Sequence, residues 1–317
     1  MAQHHSWAWQ RRTLLALTIA AFSYALGLLW PLKSADRFKT TEQISQTIAG
    51  ANPIDGAQRG GEEELTLSDA RVLKNFAARI ARLEAQQNQI YNYSLPQQFQ
   101  GTTIQSISLP GNQKAIALTF DDGPWPTGTN DILYILKKNN IKATFFLLGR
   151  NVQNFPNLAK TIVNHGHVVA NHSWSHPYHQ HSQAAAAREL DRTDEIIYET
   201  TGVKSVLFRP PGGYLNNGLA AYAASQKNTV VMWSADSQDY RASSSQQIRN
   251  VLANAGQGGI VLMHDGGGDR RRTVNALPII IEKLKEQGYT FVTLPELMEM
   301  QAQAAQATKV QEQSPAQ

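Results

Sequence analysis

From about Lys114 onward the chain alternates short apolar runs with amphipathic stretches, and this alternation limits the possible folds more than any other feature. The apolar runs cover residues 115–120, 143–148, 167–171, 206–209, 229–233, 259–263 and 289–292. Each has the length of a buried strand. Between them lie stretches of helical periodicity, such as 131–138, 184–200 and 274–285. Parallel strands cannot be joined by a tight turn, so strand–helix alternation is the pattern of a parallel sheet covered by helices. About seven such units in one run point to a barrel rather than an open sheet. The expected fold class is α/β, a distorted (β/α) barrel of about seven parallel strands, preceded by an N-terminal membrane anchor and a helical arm.

The 317 residues suffice for one large domain with extensions, and 42% hydrophobic against 17% charged residues fits a chain that buries a core. There is no cysteine. Disulfides and thiolate metal sites are therefore excluded, and any metal must be held by His, Asp or Glu. The net charge is +4, with Lys and Arg scattered, so no nucleic-acid partner is expected.

Residues 14–30 form an uncharged apolar stretch after Arg11 and Arg12, long enough to cross a bilayer as a helix. Residues 1–32 read as a signal-anchor or a signal peptide. The anchor is preferred, because the apolar run continues past the poor cleavage site Ser23-Tyr24-Ala25. Arg11-Arg12-Thr13-Leu14-Leu15 also loosely suggests a twin-arginine export signal. Basic residues before the stretch favour a cytoplasmic N-terminus, although Lys33, Arg37 and Lys39 weaken the asymmetry. Every version puts the bulk of the chain outside the cytoplasm, anchored to a membrane in the periplasm or cell envelope, or secreted if the segment is cleaved. Residues 33–66 are a polar linker. In 67–113, Leu73, Phe76, Ile80, Leu83 and Ile90 mark a helical arm that packs on the main domain or pairs two chains, which leaves the oligomeric state open. The strand–helix unit spans 114–300, and the Ala/Gln-rich tail at 301–317 is expected to be disordered.

The polar motifs fall at the C-terminal ends of the apolar runs. Asp121 and Asp122 follow the first, Asn171-His172-Ser173-Trp174-Ser175-His176 the third, and Arg209-Pro210-Pro211-Gly212-Gly213 the fourth. Asp236-Ser237-Gln238-Asp239 follows the fifth and Leu262-Met263-His264-Asp265 ends the sixth. In a parallel barrel these ends open on one face, where active sites are assembled from different strands. Adjacent aspartates in a dry site cannot both ionise without a cation or proton between them. His172 and His176 are four apart, so a helical turn would point both imidazoles one way before Pro177 ends it. Two His and a carboxylate with open positions for water form a hydrolytic metal site. Nothing in their spacing selects His165, His167, His179 or His181, which read as surface or loop residues.

The motif set, in this order over about Lys114 to Leu297, resembles the polysaccharide deacetylase family, the carbohydrate esterases of family 4 that include nodulation-type chitooligosaccharide deacetylases and peptidoglycan deacetylases. The resemblance implies a metal-dependent hydrolase that removes N-acetyl groups from an envelope or extracellular glycan, most simply N-acetylglucosamine units of peptidoglycan or a chitin-like polymer. By that resemblance Asp122, His172 and His176 bind one divalent ion, zinc first with cobalt or manganese as alternatives. Asp121 is the general base, held by Arg209, and His264 is the general acid, tuned by Asp239. Leu262 lines the pocket for the acetyl methyl group, Gly212 supplies an oxyanion-binding N–H, and Gly213, Tyr214, Trp233 and Tyr240 are further substrate contacts. Two departures stand out. The family often has Tyr after the paired prolines, where this chain has Gly212-Gly213, and Tyr240 replaces a Trp. Two other readings are a glycan-binding module without catalysis and an amidohydrolase acting on a small cyclic amide.

Overall fold

The structure, a computed structural model, describes residues 95–313 together with Asn75, Ala78 and Arg79. The anchor or signal at 1–32, the linker at 33–66 and, apart from those three residues, the arm over 67–94 lie outside the described residues. Asn75, Ala78 and Arg79 are helical and exposed. Among the described residues no helix is long and apolar enough to cross a membrane.

In chain order the elements are β1 (Thr103–Ile104), β2 (Ala115–Asp121), α1 (Gly128–Lys138), β3 (Thr144–Leu147), α2 (Gly149–Asn154), α3 (Pro156–Asn164) and β4 (Val168–Asn171). They continue with α4 (Gln183–Thr201), β5 (Leu207–Phe208), α5 (Leu219–Ser225), β6 (Thr229–Val231), β7 (Ala235–Asp236) and α6 (Ser244–Asn254). The last are β8 (Gly259–His264), α7 (Arg271–Glu286), β9 (Thr290–Phe291) and α8 (Leu294–Gln313). Every expected strand is present, and all strand ladders are parallel. The two-residue strands β1 and β7 carry too little pattern to be read from sequence.

The sheet order is β1-β6-β5-β4-β3-β2-β8-β7, with β9 also on β2. One stretch, 229–236, pairs with β5 through its first half and with β8 through its second. Ile107 reaches across in the same way, donating its N–H to Gly258 O at 2.8 Å. The sheet is thus curled into an incompletely closed barrel.

Strand parity decides what faces the interior, because successive side chains on a strand point to opposite sides. On β2, Ile116, Leu118 and Phe120 join the layer beneath α1, α3 and α7, packed against Ile132, Leu136, Ile162, Leu277 and Ile280. Ala115 and Ala117 face inward, where Leu95, Phe99, Ile107, Leu294, Leu297 and Met298 fill the bottom. The same parity turns Thr119 and Asp121 inward at the top. Both layers bury β2 on both sides, which explains its unbroken apolar run.

The helices start and stop by local chemistry. Ser182 and Ser243 cap α4 and α6 by accepting Ala185 N–H and Gln246 N–H. Gly202, at φ 78°, closes α4 in the left-handed conformation. The disorder expected over 301–317 is corrected for 301–313, since α8 runs to Gln313 and Ala302 is buried, while 314–317 lie outside the described residues. Alanine and glutamine are good helix formers, and the buried Leu294, Leu297 and Met298 fix the first turns.

Candidate active site

The parallel register sets the site. Asp121 on β2 stands beside His264 on β8 and Phe146 on β3, and Leu147 stands beside Asn171 on β4. With β4 two places to one side of β2 and β8 directly on the other, the histidines after β4 and at the end of β8 flank the aspartate pair from opposite sides.

Asp122 Oδ1 lies 3.4 Å from His176 Nε2 and 3.6 Å from His172 Nε2. The ligand atoms of these three residues all lie within 4.8 Å of one another. Asp122 Oδ1 is buried and has no hydrogen-bond partner. His172 Nδ1 sits 2.7 Å from the Arg209 carbonyl. A carbonyl only accepts, so Nδ1 carries the proton and Nε2 presents its lone pair to Asp122. Burial drives the His172 value down to about 3, which keeps the ring neutral, as a ligand must be. An orphaned carboxylate oxygen facing two imidazole nitrogens fits a divalent cation with nitrogen and oxygen ligands.

The two histidines do not share a helical turn, which corrects the expectation from their spacing. The segment after β4 is irregular, with Ser173 at φ 70° and His176 at φ 61°. Its polar groups are satisfied by Glu189 on α4, which accepts the N–H groups of Trp174 and Ser175 and the Ser175 hydroxyl at 2.8–3.0 Å. Asn171, turned outward by strand parity, accepts Ser173 N–H and donates to Leu190 O and Asp194. Asp122 is also left-handed, at φ 73°. Asn151 donates to its carbonyl at 2.7 Å, and a Cβ on Gly266 would sit 2.1 Å from that same oxygen. Non-glycine residues held in this region cost about 1–3 kcal/mol and persist only where the surroundings enforce them.

Asp121 is 3% exposed. Arg209 is fully buried, with Nη1 donating at 2.8 Å to both Asp121 Oδ1 and Thr119 Oγ1, and Nε and Nη2 donating to the Val231 and Met232 carbonyls. Phe146 and Trp233 lie on its guanidinium, 4.1 and 5.7 Å from ring centre to carbon. Burial raises the Asp121 pKa, opposed by the charges of Arg209, His264 and His176.

His264 Nδ1 is 2.6 Å from Asp239 Oδ1, and the other oxygen of Asp239 accepts His264 N–H and the Thr273 hydroxyl at 2.8 Å. Burial disfavours the imidazolium, but the bond and charge of Asp239, joined by Asp121 and Asp122, overcome it and raise His264 to about 9. The ring is charged at neutral pH.

Leu262 is buried on the inner face beside Thr119. Trp233 is half-buried and packs against Gly213, where a Cβ would lie 2.9 Å from the indole. Tyr214 and Tyr240 are exposed on the rim, Tyr240 with its ring 6.2 Å from that of His264. Gly212 is exposed in a turn at φ 61°. His167 is corrected from a surface residue: it is buried, and Nδ1 accepts Ala143 N–H.

Sequence reasoning gave no role to several residues that shape this site. Thr119 could have been found from its period-two relation to Asp121, and Asp265 from its place beside His264. The Asp265 carboxylate is buried, takes the Thr129 hydroxyl, and lies where a Cβ on Gly123 would fall, 2.1 Å away. Glu189 has no local signal, because its partners lie fourteen and fifteen residues away.

Comparison with known proteins agrees with this geometry. Residues 108–231 match the family described as polysaccharide deacetylase. A peptidoglycan-N-acetylglucosamine deacetylase of Bacillus cereus is 39% identical over 207 residues, spanning 64% of this chain and 97% of that protein. The crystal structure of the Bc1960 peptidoglycan N-acetylglucosamine deacetylase superposes with a TM-score of 0.58 at 39% identity, over 62% of this chain and 92% of that one. A CE4 family pseudoenzyme from Bacillus anthracis gives 0.57 at 33% identity, over 62% and 68%. By sequence, by fold and by the order of its motifs, this chain belongs to the polysaccharide deacetylase family.

Proposed function

We propose that the chain is a metal-dependent hydrolase that removes N-acetyl groups from N-acetylglucosamine units of peptidoglycan. The observation that carries this reading is the pairing of a buried Asp121–Arg209 base with a charged His264–Asp239 acid on either side of the Asp122–His172–His176 cluster. A divalent ion held by those three residues, zinc by preference, would acidify water and polarise the acetyl carbonyl. Asp121, kept ionised by Arg209, takes the proton from the attacking water. The Gly212 N–H meets the oxygen that gains charge at the tetrahedral carbon. His264 gives its proton to the amine as the C–N bond breaks, leaving acetate and a glucosamine unit. Leu262 faces the acetyl methyl group, and Gly213, Tyr214, Trp233 and Tyr240 line the approach.

Two details extend this reading. The apolar stretch at 14–30 holds the chain in a membrane with the catalytic unit in the periplasm or envelope, which cell fractionation and protease accessibility would test. The pseudoenzyme relative supports a second reading, a glycan-binding protein without turnover. The intact Asp121, Asp122, His172, His176 and His264 weigh against it. Acetate release from N-acetylated peptidoglycan, with zinc, cobalt or manganese, with chelator, and with Asp121→Asn, decides between them. Metal-dependent release abolished by the substitution is expected. Metal binding with no release from peptidoglycan or chitooligosaccharides would overturn the enzyme.

A further inference from the structure

The geometry points to Tyr178 as a sugar-stacking residue that, with Tyr214, walls the site on the His176 side and extends substrate recognition at least one sugar beyond the unit that reacts. This rests on the deacetylase reading above and adds a residue that neither the spacing of the motifs nor the resemblance assigned.

Tyr178 follows directly after the His176-Pro177 pair and is 58% exposed, although it is a large ring beside a buried site. Its ring meets His176 edge-on at 5.0 Å and Tyr214 edge-on at 5.8 Å, and Tyr214 is itself 48% exposed. The three rings form one continuous surface leading from the metal-ligand cluster outward. The loop carrying Tyr178 is anchored, since Gln180 donates to Asn216 O and His181 N–H to Asn217 O. Gly212 explains why the wall takes this form. A Cβ there would lie 2.8 Å from Tyr178 Cε1 and 3.0 Å from Tyr214 Cε2, so the space a side chain at 212 would fill is held by a ring from the β4 loop. On the other flank of the aspartate pair, Tyr240 is 55% exposed against His264. An exposed, positionally fixed aromatic face suits the apolar face of a pyranose, and its rim position suits a polymer crossing the site.

The test uses the full chain loaded with zinc, comparing wild type with Tyr178→Ala and Tyr178→Phe. Acetate release is measured on N-acetylglucosamine and chitopentaose, chitopentaose binding by calorimetry, and zinc affinity by competition with a chromogenic chelator. Tyr178→Ala is expected to weaken chitopentaose binding and raise its KM about 3- to 10-fold, leaving kcat, the N-acetylglucosamine KM and zinc affinity unchanged. Tyr178→Phe keeps the stacking face and should behave as wild type. Unchanged chitopentaose binding in Tyr178→Ala, equal losses on both substrates, or loss of zinc would each overturn the proposal. The binding readout separates the two ideas. A protein that releases no acetate but loses chitopentaose affinity on Tyr178→Ala refutes catalysis and retains the wall.

Discussion

Replacing Arg209 with methionine removes the guanidinium while keeping a long unbranched side chain, and its consequences follow from the contacts. Arg209 is fully buried and makes four hydrogen bonds, to Asp121, Thr119 and the carbonyls of Val231 and Met232. Arg209→Met leaves the carboxylate of Asp121 buried without its cation and strips both carbonyls of a donor. Removing one partner of a buried ion pair costs about 3–5 kcal/mol. Set against a total stability of about 5–15 kcal/mol, that is a large fraction. For a domain of this size it corresponds to a fall in Tm of about 6–20 °C. The second consequence is chemical. Burial already raises the Asp121 pKa, and Arg209 is the chief group opposing it. Without Arg209 the value climbs further, so less of the base is ionised at neutral pH. Thermal unfolding monitored by fluorescence reads the first effect, and acetate release across the pH range reads the second as an acid limb moved upward. A folded variant with wild-type Tm and an unmoved acid limb would refute both the pairing energy and the assignment of Arg209 as the residue that holds Asp121 ionised.

Two other predictions follow from the same contacts. Because His264 is raised to about 9 from an ordinary 6.5, its protonated form is stabilised by the fold. That stabilisation is complete below about pH 6.5 and is lost as pH rises through about 9. The basic limb of kcat/KM should therefore lie toward pH 9, and Asp239→Asn should move it down by about 1–3 pH units, read from the same pH profile. Glu189→Ala should weaken zinc binding about 10–100-fold by releasing the turn that carries His172 and His176, measured by chelator competition, while the circular dichroism spectrum stays that of a folded α/β protein.

Much of the site was legible because its chemistry is carried by residues next to strand ends. Asp121-Asp122, His172 and His176, Arg209, Asp239 and His264 each sit where an apolar run stops, and the parallel sheet brings those ends to one rim. Their company was less legible. The turn bearing the histidines is held in an irregular conformation by Glu189 and Asn171, and no helical spacing rule describes it. Tyr178 carries no sequence signal of its own, because its meaning depends on Gly212, which is distant in sequence and adjacent in space.

The sequence by itself determined the class of the fold, the strands long enough to carry a pattern, the absence of thiolate ligands and the residues able to bind a metal or move a proton. These are local properties, fixed by periodicity, turn chemistry and the donor atoms of side chains. Only the tertiary structure decided how the sheet closes, through two-residue strands too short to show a period, and where the tail becomes a helix. It alone gave the protonated nitrogen of His172, the burial that sets Asp121 and His264 apart, and the ring that fills the space beside Gly212. Register, burial and contact arise from segments remote in the chain, and no local pattern encodes them.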